Sequence, residues 1–303
     1  MIKIHDIAYV RFAAPDLDKM EAFAADFGLA VTSRSEDRLY LRGTDPEPYV
    51  HVTERGEAGF RGVAFAAESA EDLHAVAKMD GASPVEKLDA PGGGECVRFT
   101  DPDGNGVEVV YGRELLPPLP VAGASPLNRG SERVRRGVLQ RVPTGAPRVK
   151  RLGHAVIRVA DFQTSNAWYA ERFGFVPSDE IYLGDEKNVV ASFNRCDRGA
   201  AYTDHHTFLC VGIGDPGFDH AAFEVEDFDA VMAGHDHMQQ GGYEHKMGVG
   251  RHILGSQVYD YWLDPFGNMI EHFTDGDLLN ADHETGRWDP GTALGSQWGS
   301  MGD

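Results

Sequence analysis

A turn-containing segment occurs twice in this chain, and the repeat strongly limits how the chain can fold. Residues 101–108 read Asp-Pro-Asp-Gly-Asn-Gly-Val-Glu, and residues 264–271 read Asp-Pro-Phe-Gly-Asn-Met-Ile-Glu. Asp-Pro-x-Gly-Asn is a turn cluster, and the aromatic and β-branched residues around the second copy are typical of strands. Each copy therefore predicts two strands joined by a tight turn, with a glutamate at the same place in the second strand.

Other segments of the two halves match in the same order. Residues 9–13 resemble residues 156–160, and each segment precedes an amphipathic helix that ends at Phe-Gly. Residues 62–65 resemble residues 220–223, and each precedes an acidic helix. Ordered matches of this kind indicate a duplication. We therefore predict an α+β fold of four βαβββ modules, paired into two similar domains, each a curved mixed sheet around a cavity.

A segment rich in proline and glycine separates the two halves. Residues 114–150 carry many prolines, glycines and basic residues and have no strand or helix pattern. We expect residues 1–113 to form an N-terminal domain, residues 114–150 a connector, and residues 151–303 a C-terminal domain. The last part of that domain, from residue 275, is rich in glycine, and we expect irregular structure held by Trp288 and Trp298.

The composition excludes several classes of function. The 303 residues include 28 basic and 48 acidic ones, a formal charge of −20, which argues against binding to nucleic acid or to an anionic membrane. The N-terminus lacks the apolar region of a signal peptide, and no apolar run is long enough to span a bilayer. Three cysteines without Cys-x-x-Cys spacing predict reduced thiols. We expect a cytoplasmic protein that forms a homo-oligomer.

Three residues of the second half are candidate metal ligands. His154 and His220 open the first strands of the two modules, and Glu271 lies in the last strand. If the modules pair symmetrically, these side chains face one cavity, and two imidazoles with one carboxylate suit a non-haem Fe(II) centre. A single strand histidine is more often an ordinary core or surface residue. Three potential ligands, two histidines and a glutamate, rarely meet at related positions by chance. By the same alignment, the first half has Ile7, Gly62 and Glu108 there, so we expect it to hold no metal.

The last hairpin carries a resemblance to a known family. Its residues follow one pattern, which consists of Gly250, His252, Tyr261, Asp264, Pro265, Gly267 and Glu271. This pattern matches a motif of the type I extradiol ring-cleavage (catechol 2,3-) dioxygenases of the vicinal-oxygen-chelate superfamily. The chain resembles that family over its whole length, in the two-domain form with a degenerate N-terminal domain. One position departs from the pattern, since Asp260 stands where the family prefers an apolar residue.

The resemblance implies a function and roles for site residues. It implies that His154, His220 and Glu271 bind Fe(II), that O2 is the co-substrate, and that a small aromatic diol is cleaved beside its hydroxyls during the breakdown of aromatic compounds. Mn(II) suits the same ligands. His252 and Tyr261 would touch the substrate oxygens. An acid–base histidine in a His-x-Thr setting would be His205, with the neighbouring His206 as the alternative.

The spacing of two of these residues predicts an interruption in their strand. His252 and Tyr261 are nine residues apart in a stretch that reads as one strand, so a regular strand would point them to opposite faces. If both reach one pocket, the strand must contain a bulge or bend. Glycine within a strand often marks such a place, so we expect it at Gly255-Ser256, with His252 at the rim and Tyr261 deeper.

The same fold also suits two other functions, those of a metal-dependent lyase or isomerase and of a non-catalytic binding protein. A glyoxalase-like lyase or isomerase would usually need a second carboxylate at the site, and a non-catalytic binding protein would not need an acid–base histidine. Other histidines give weaker signals. His235 and His237 are two apart on a predicted helix and do not share a face, so we read them as solvated. His245 could reach the cavity rim or simply end a strand.

Overall fold

The computed structural model of the chain describes residues 2–122 and 126–299. Residue 1, residues 123–125 of the predicted connector and residues 300–303 of the predicted C-terminal domain lie outside this range. The described elements of the first half are β1 (Ile4–Ala14), α1 (Leu17–Phe27), β2 (Ala30–Arg34), β3 (Arg38–Arg42), β4 (His51–Arg55), β5 (Gly59–Ala67), α2 (Ala70–Val76), β6 (Glu86–Lys87), β7 (Glu95–Thr100) and β8 (Gly106–Tyr111).

The second half repeats this order, with a short extra strand and with further elements near its end. Its elements are β9 (Val149–Arg158), α3 (Phe162–Phe173), β10 (Phe175–Tyr182), β11 (Val189–Cys196), β12 (Thr203–Asp204), β13 (Phe208–Val211), β14 (Gly217–Val225), α4 (Phe228–Gln240), β15 (His245–His252), β16 (Val258–Leu263), β17 (Met269–Thr274), β18 (Leu278–Leu279), β19 (Gly286–Trp288), α5 (Pro290–Ala293) and β20 (Ser296–Gly299). The short extra strand, β12, pairs with β18.

Each half forms one mixed sheet in which two modules meet at the centre. The first sheet has the order β2-β3-β4-β1-β5-β8-β7-β6, and the second has the order β19-β10-β11-β13-β9-β14-β17-β16-β15-β20. In both sheets the first strands of the two modules, β1 with β5 and β9 with β14, are antiparallel neighbours. The predicted α+β fold of paired βαβββ modules is therefore confirmed. The central strands hold the candidate ligands.

The helices that follow β1 and β9 have matching ends. Asp16 precedes α1 and Asp161 precedes α3, and each carboxylate accepts hydrogen bonds from backbone N–H groups of the first turn. Gly28 and Gly174 end these helices in the left-handed conformation, with φ of 102° and 71°. Glycine adopts this conformation without a steric penalty, which explains the repeated Phe-Gly ending.

The strand register corrects the alignment of the first strands. His154 pairs with Ala222, and the matching pair in the first sheet is Tyr9 with Ala64. The counterpart of His154 is therefore Tyr9 and not Ile7. Side chains in a strand alternate with a period of two, so a two-residue error keeps every residue on its predicted face. The hydrophobic pattern could not reveal the mistake.

The stretch between residues 252 and 258 reverses the chain. The stretch that reads as one strand through His252 and Tyr261 is divided, because β15 ends at His252 and runs antiparallel to β16, which starts at Val258. The predicted interruption is present, with positive φ at Gly255 (77°) and Ser256 (57°). It is a turn between two strands, however, and not a bulge within one. His252 and Tyr261 thus reach each other from neighbouring strands.

The C-terminal segment is more regular than predicted. β19 pairs with β10 at one edge of the second sheet, and β20 pairs with β15 at the other edge. Trp288 donates its indole N–H to Asp179 at 2.6 Å, and the ring of Trp298 packs against Phe228. Backbone pairing therefore adds to the two expected indole contacts. The same segment covers both edges of the sheet that carries the candidate site.

The two halves share a continuous apolar core. Phe27 at the end of α1 packs its ring on Phe223 of β14 and on His272 of β17, and His272 Nε2 lies 2.7 Å from the Phe27 carbonyl oxygen. His51 is 4% exposed and stacks on Phe12, with ring centroids 5.0 Å apart.

Within the two described ranges, no helix has both the length and the apolar character needed to cross a membrane.

Replacing His51 by glutamine should reduce the sensitivity of the fold to acid. Burial lowers the pKa of His51 from 6.5 to about 3. The unfolded chain then binds this proton more readily, so the stabilisation is complete above pH about 6.5 and is lost as the pH falls towards 3. We expect the free energy of unfolding of His51→Gln to fall less steeply in this window, by up to about 1.4 kcal/mol per pH unit.

Urea unfolding at a series of pH values from 7 to 5 measures this difference. His74→Gln, which changes an exposed histidine on α2, is the matched control and should keep the slope of the unaltered protein. Equal slopes for His51→Gln and the unaltered protein would contradict the prediction.

Candidate metal centre and active site

Three neighbouring strands bring the predicted ligands together. His154 lies on β9, His220 on β14 and Glu271 on β17. The two Nε2 atoms are 3.3 Å apart, and Glu271 Oε2 lies 3.4 Å from His154 Nε2 and 3.5 Å from His220 Nε2. An ion with bonds of about 2.0–2.2 Å needs donor atoms at this spacing. Two imidazoles and a carboxylate on one side leave positions open for other ligands.

The carboxylate of Glu271 has no adequate partner within the protein. Glu271 is 0% exposed, and within the described ranges neither oxygen accepts a well-formed hydrogen bond. The hydroxyl of Tyr261 is close enough to lower the pKa of Glu271, but burial outweighs it and the pKa is raised. A buried carboxylate without a partner is costly. A bound cation would remove this cost, so the residues present fit a metal ion.

A carboxylate orients one of the two imidazoles. Asp219 Oδ1 lies 2.8 Å from His220 Nδ1, which leaves His220 Nε2 directed at Glu271. Burial alone would lower the pKa of His220, but the bond to Asp219 raises it above its usual value. Carboxylates commonly hold metal-binding imidazoles in this way. Nδ1 of His154 has no hydrogen-bond partner among the described residues, and burial lowers the pKa of this imidazole well below its usual value.

Sequence reasoning missed Asp219, and the strand register explains why. In a regular strand Asp219 would point away from the face occupied by His220. The pairing of β14 with β9 shifts between Phe218 and His220, so Asp219 lies at an irregularity where the alternation fails. The sequence gives no signal for this shift.

Of the two adjacent histidines, His206 lies beside the candidate ligands. Its ring centroid is 4.0 Å from that of His154. His205 is held elsewhere, since its Nε2 lies 2.7 Å from Asp179 Oδ2 and its Nδ1 lies 3.1 Å from Nδ1 of His206. Both residues precede β13, so strand alternation does not decide between them. The geometry favours the alternative, His206, over His205 as the group next to the site.

His252 and Tyr261 lie together at the same site. His252 Nε2 is 3.0 Å from the Tyr261 hydroxyl and 3.9 Å from Glu271 Oε1. Tyr261 pairs directly with Glu271 across β16 and β17, so its side chain lies on the same face. As expected, Tyr261 is the deeper residue, 2% exposed, whereas the side chain of His252 is 21% exposed. Burial lowers the pKa of His252 to about 4 and raises the pKa of Tyr261 well above its usual value.

In the first half, the glutamate at the equivalent position, Glu108, has hydrogen-bond partners within the protein. Glu108 accepts hydrogen bonds from the Tyr9 hydroxyl at 2.5 Å, from Arg11 Nη1 at 3.0 Å and from Arg98 Nε at 3.0 Å. Tyr9 occupies the position of His154, and Arg98, the register partner of Glu108, occupies that of Tyr261. A cavity of about 300 Å³ borders this group. Two guanidinium groups already neutralise the carboxylate, so no cation is needed there.

Removing the charge of Glu271 should stabilise the metal-free protein. Glu271→Gln keeps the shape of the side chain and replaces an unpartnered buried carboxylate by an amide. We expect the free energy of unfolding of the metal-free protein to rise by about 1–3 kcal/mol, the usual cost of an unsatisfied buried group. Chemical unfolding in the presence of a chelator measures it.

Glu108→Gln is the matched control and should have the opposite sign. It removes the carboxylate that Arg11 and Arg98 share, although Arg11 keeps Glu54 and Arg98 keeps Glu86 as partners. Hydrogen bonds to charged groups are worth about 1.5–3 kcal/mol, so we expect a loss of about this size. A loss of stability in both variants would mean that Glu271 has a partner in the metal-free protein.

Comparisons with known proteins agree with this geometry. Residues 151–272 match the sequence profile of the Glyoxalase/Bleomycin resistance protein/Dioxygenase superfamily. The chain is 30% identical over 284 residues to Metapyrocatechase 2 of Cupriavidus necator, covering 92% of this chain and 83% of that protein. It is 26% identical over 298 residues to the iron-dependent extradiol dioxygenase of Rhodococcus jostii (strain RHA1), covering 91% and 90%.

A solved structure with the same fold is a Mn(II)-bound glyoxalase from Novosphingobium aromaticivorans. The TM-score is 0.80 at 25% identity, with 100% of this chain and 93% of that chain covered. The similarity to the curated dioxygenase of Cupriavidus necator extends over both halves of the chain. With its paired βαβββ modules and its His-His-Glu group, the chain belongs to the type I extradiol ring-cleavage dioxygenases of the vicinal-oxygen-chelate superfamily.

Proposed function

We propose that His154, His220 and Glu271 bind one Fe(II) ion and that the enzyme uses O2 to cleave a catechol-type ring beside its hydroxyls. The observation that carries this proposal is the buried carboxylate of Glu271, which has no adequate partner within the protein and lies 3.4 and 3.5 Å from two imidazole nitrogens. Two nitrogen donors and one oxygen donor suit Fe(II), and Mn(II) suits them also. The names of the curated relatives support the same reaction class.

The ion and the protein have separate tasks in this reaction. Fe(II) held by His154, His220 and Glu271 would supply a Lewis acid that lowers the pKa of a substrate hydroxyl, and it would leave coordination positions for the diol and O2. His252 and Tyr261 contact one oxygen of the diol and fix its orientation. Tyr261 keeps its proton because burial raises its pKa, so it donates a hydrogen bond to that oxygen.

Asp179, His205 and His206 form a hydrogen-bonded row that ends at the site. With its Nε2 proton donated to Asp179, His205 accepts at Nδ1 the Nδ1 proton of His206. This arrangement leaves Nε2 of His206 as the basic nitrogen of the row. Among the described residues no hydrogen-bond partner engages that nitrogen. His206 is therefore the group that holds and returns a proton, and His205 positions it.

A glyoxalase-like reaction is the second candidate, because a Mn(II)-bound glyoxalase has the same fold at 25% identity. The donor set argues against it, since Glu271 is the one carboxylate in the group formed with His154 and His220. His206, His252 and Tyr261 have no part in such a reaction, but they have parts in ring cleavage. Oxygen uptake with catechol, compared with isomerisation of a glutathione thiohemiacetal, separates the two reactions.

One iron should bind per chain, and only in the second half. Metal-free protein loaded with Fe(II) without oxygen should retain about one ion per chain after desalting, since Glu108 is already neutralised. His154→Ala combined with His220→Ala should lose the iron, and Tyr9→Phe in the first half should keep it. Elemental analysis decides; two ions per chain, or iron retained by the double variant, would contradict the proposal.

His206→Ala should lose far more activity than His205→Ala. Acid–base groups typically contribute about 10²–10⁴-fold to the rate, so we expect a fall of this size in kcat for His206→Ala with iron retained. His205→Ala should fall less, because that residue acts only by positioning its neighbour. Product formation is followed by its visible absorbance, with iron content measured on the same samples. If His205→Ala lost most of its activity and His206→Ala kept normal activity, the acid–base role would belong to His205.

Tyr261→Phe should keep its iron and bind or turn over the diol less well. The phenol is not one of the proposed ligands, so its removal costs one hydrogen bond to the substrate. Such a bond is worth about 0.5–1.5 kcal/mol between neutral groups and more to a charged oxygen. Steady-state kinetics with measured iron content test this, and normal kinetics would show that the hydroxyl does not contact the substrate.

A further inference from the structure

A second group of possible metal ligands lies in the described chain outside the active site. His235 of α4, His245 of β15 and Asp260 of β16 offer ligand atoms that all lie within 4.8 Å of one another. Asp260 precedes Tyr261 in β16, so the two side chains point to opposite faces of the sheet. The group therefore lies behind the active site, between the sheet and α4.

The carboxylate of Asp260 stands between the two imidazoles. Asp260 Oδ1 is 3.1 Å from His235 Nδ1 and 2.9 Å from His245 Nε2. The other oxygen, Oδ2, accepts the indole N–H of Trp262 at 2.7 Å, which fixes the orientation of the carboxylate. One oxygen and two nitrogens thus converge, and a separate residue holds the carboxylate in place, as second-layer residues commonly do at metal sites.

Asp260 is an unexpected residue at this place in the sheet. It is 0% exposed, and its counterpart in the first half is Val97, an apolar residue that is likewise buried. The family motif also prefers an apolar residue here. A carboxylate in a buried apolar position lowers stability unless it is matched by partners. One cationic partner would be enough to neutralise the charge of Asp260. Here two imidazoles lie on the same carboxylate oxygen.

We propose that His235, His245 and Asp260 form a second metal site, which takes a Zn²⁺-like divalent ion. Zinc accepts imidazole nitrogen and carboxylate oxygen at about 2.0–2.2 Å, and tetrahedral donor atoms at these bond lengths lie about 3.3–3.6 Å apart. The observed nitrogen–oxygen distances of 2.9 and 3.1 Å need only a small expansion. The side chain of His245 is 27% exposed, so water reaches the site as a fourth ligand.

The proposed site would fasten the strands that carry two active-site residues. An ion held by α4, β15 and β16 joins the helix to the hairpin that carries His252 and Tyr261. Binding an ion to the folded state alone stabilises that state. Zinc should therefore raise the melting temperature of the protein even when the active site already contains iron.

The experiment adds zinc to the iron-loaded enzyme. Metal-free protein is first loaded with Fe(II) without oxygen, then incubated with Zn²⁺ and desalted, and iron and zinc are measured in one sample. We expect about one zinc per chain in addition to the iron. Asp260→Asn and His245→Ala should each lower the zinc content at least tenfold and abolish the rise in melting temperature. His245 is partly exposed, so its variant remains informative if Asp260→Asn does not fold.

His237→Ala is the matched control. His237 lies two residues after His235 on the same helix but contacts Asp26 of the first half, at 2.9 Å. This variant should bind as much zinc as the unaltered protein. Zinc bound only by displacing iron, equal zinc in His245→Ala and the unaltered protein, or no zinc at all would overturn the proposal and leave the group as a hydrogen-bonded cluster.

Discussion

The candidate active site depends on one buried carboxylate that the protein itself does not satisfy. Glu271 lies in a central strand of the second sheet, fully enclosed, and its oxygens receive no well-formed hydrogen bond within the described chain. Its surroundings supply two imidazoles at metal-ligand spacing and a phenol on the neighbouring strand. Each of these groups is placed by the register of β9, β14, β16 and β17. The fold therefore holds a buried, unpaired carboxylate at a place where a cation can remove its energetic cost.

The two halves solve the same electrostatic problem in different ways. Both sheets place a glutamate at the same position of the last strand. In the first half Arg11 and Arg98 neutralise Glu108, and Tyr9 donates to it, so the protein provides its own cation. Guanidinium groups are permanently charged and form strong bonds with carboxylates. One backbone plan therefore carries a structural ion-pair cluster in the first half and the candidate metal group in the second.

Much of the fold could be predicted from the repeat, because turns and alternation are local properties. The modules, the last hairpin turn and the convergence of His154 with Glu271 followed from it. Besides Asp219, three features could not be predicted. A two-residue error in alignment preserves the face of every strand residue, so Tyr9 was missed. The stretch through His252 and Tyr261 reads as one strand, although residues 253–257 form a turn between β15 and β16. The role of Asp260 depends on α4 packing behind the sheet, which no local pattern encodes.

Glu271 and its neighbour His272 point to opposite sides of β17, and this alternation directs His272 towards the first half of the chain. His272 lies against Phe27 of the first half by ring stacking and by its 2.7 Å contact with the Phe27 carbonyl oxygen. The first half, which supplies no imidazole ligand, therefore packs against the side of β17 opposite to the carboxylate of Glu271. A chain without the first half would lack this support behind the strand that carries Glu271. The first half therefore contributes to the geometry of the metal group without supplying a ligand to it.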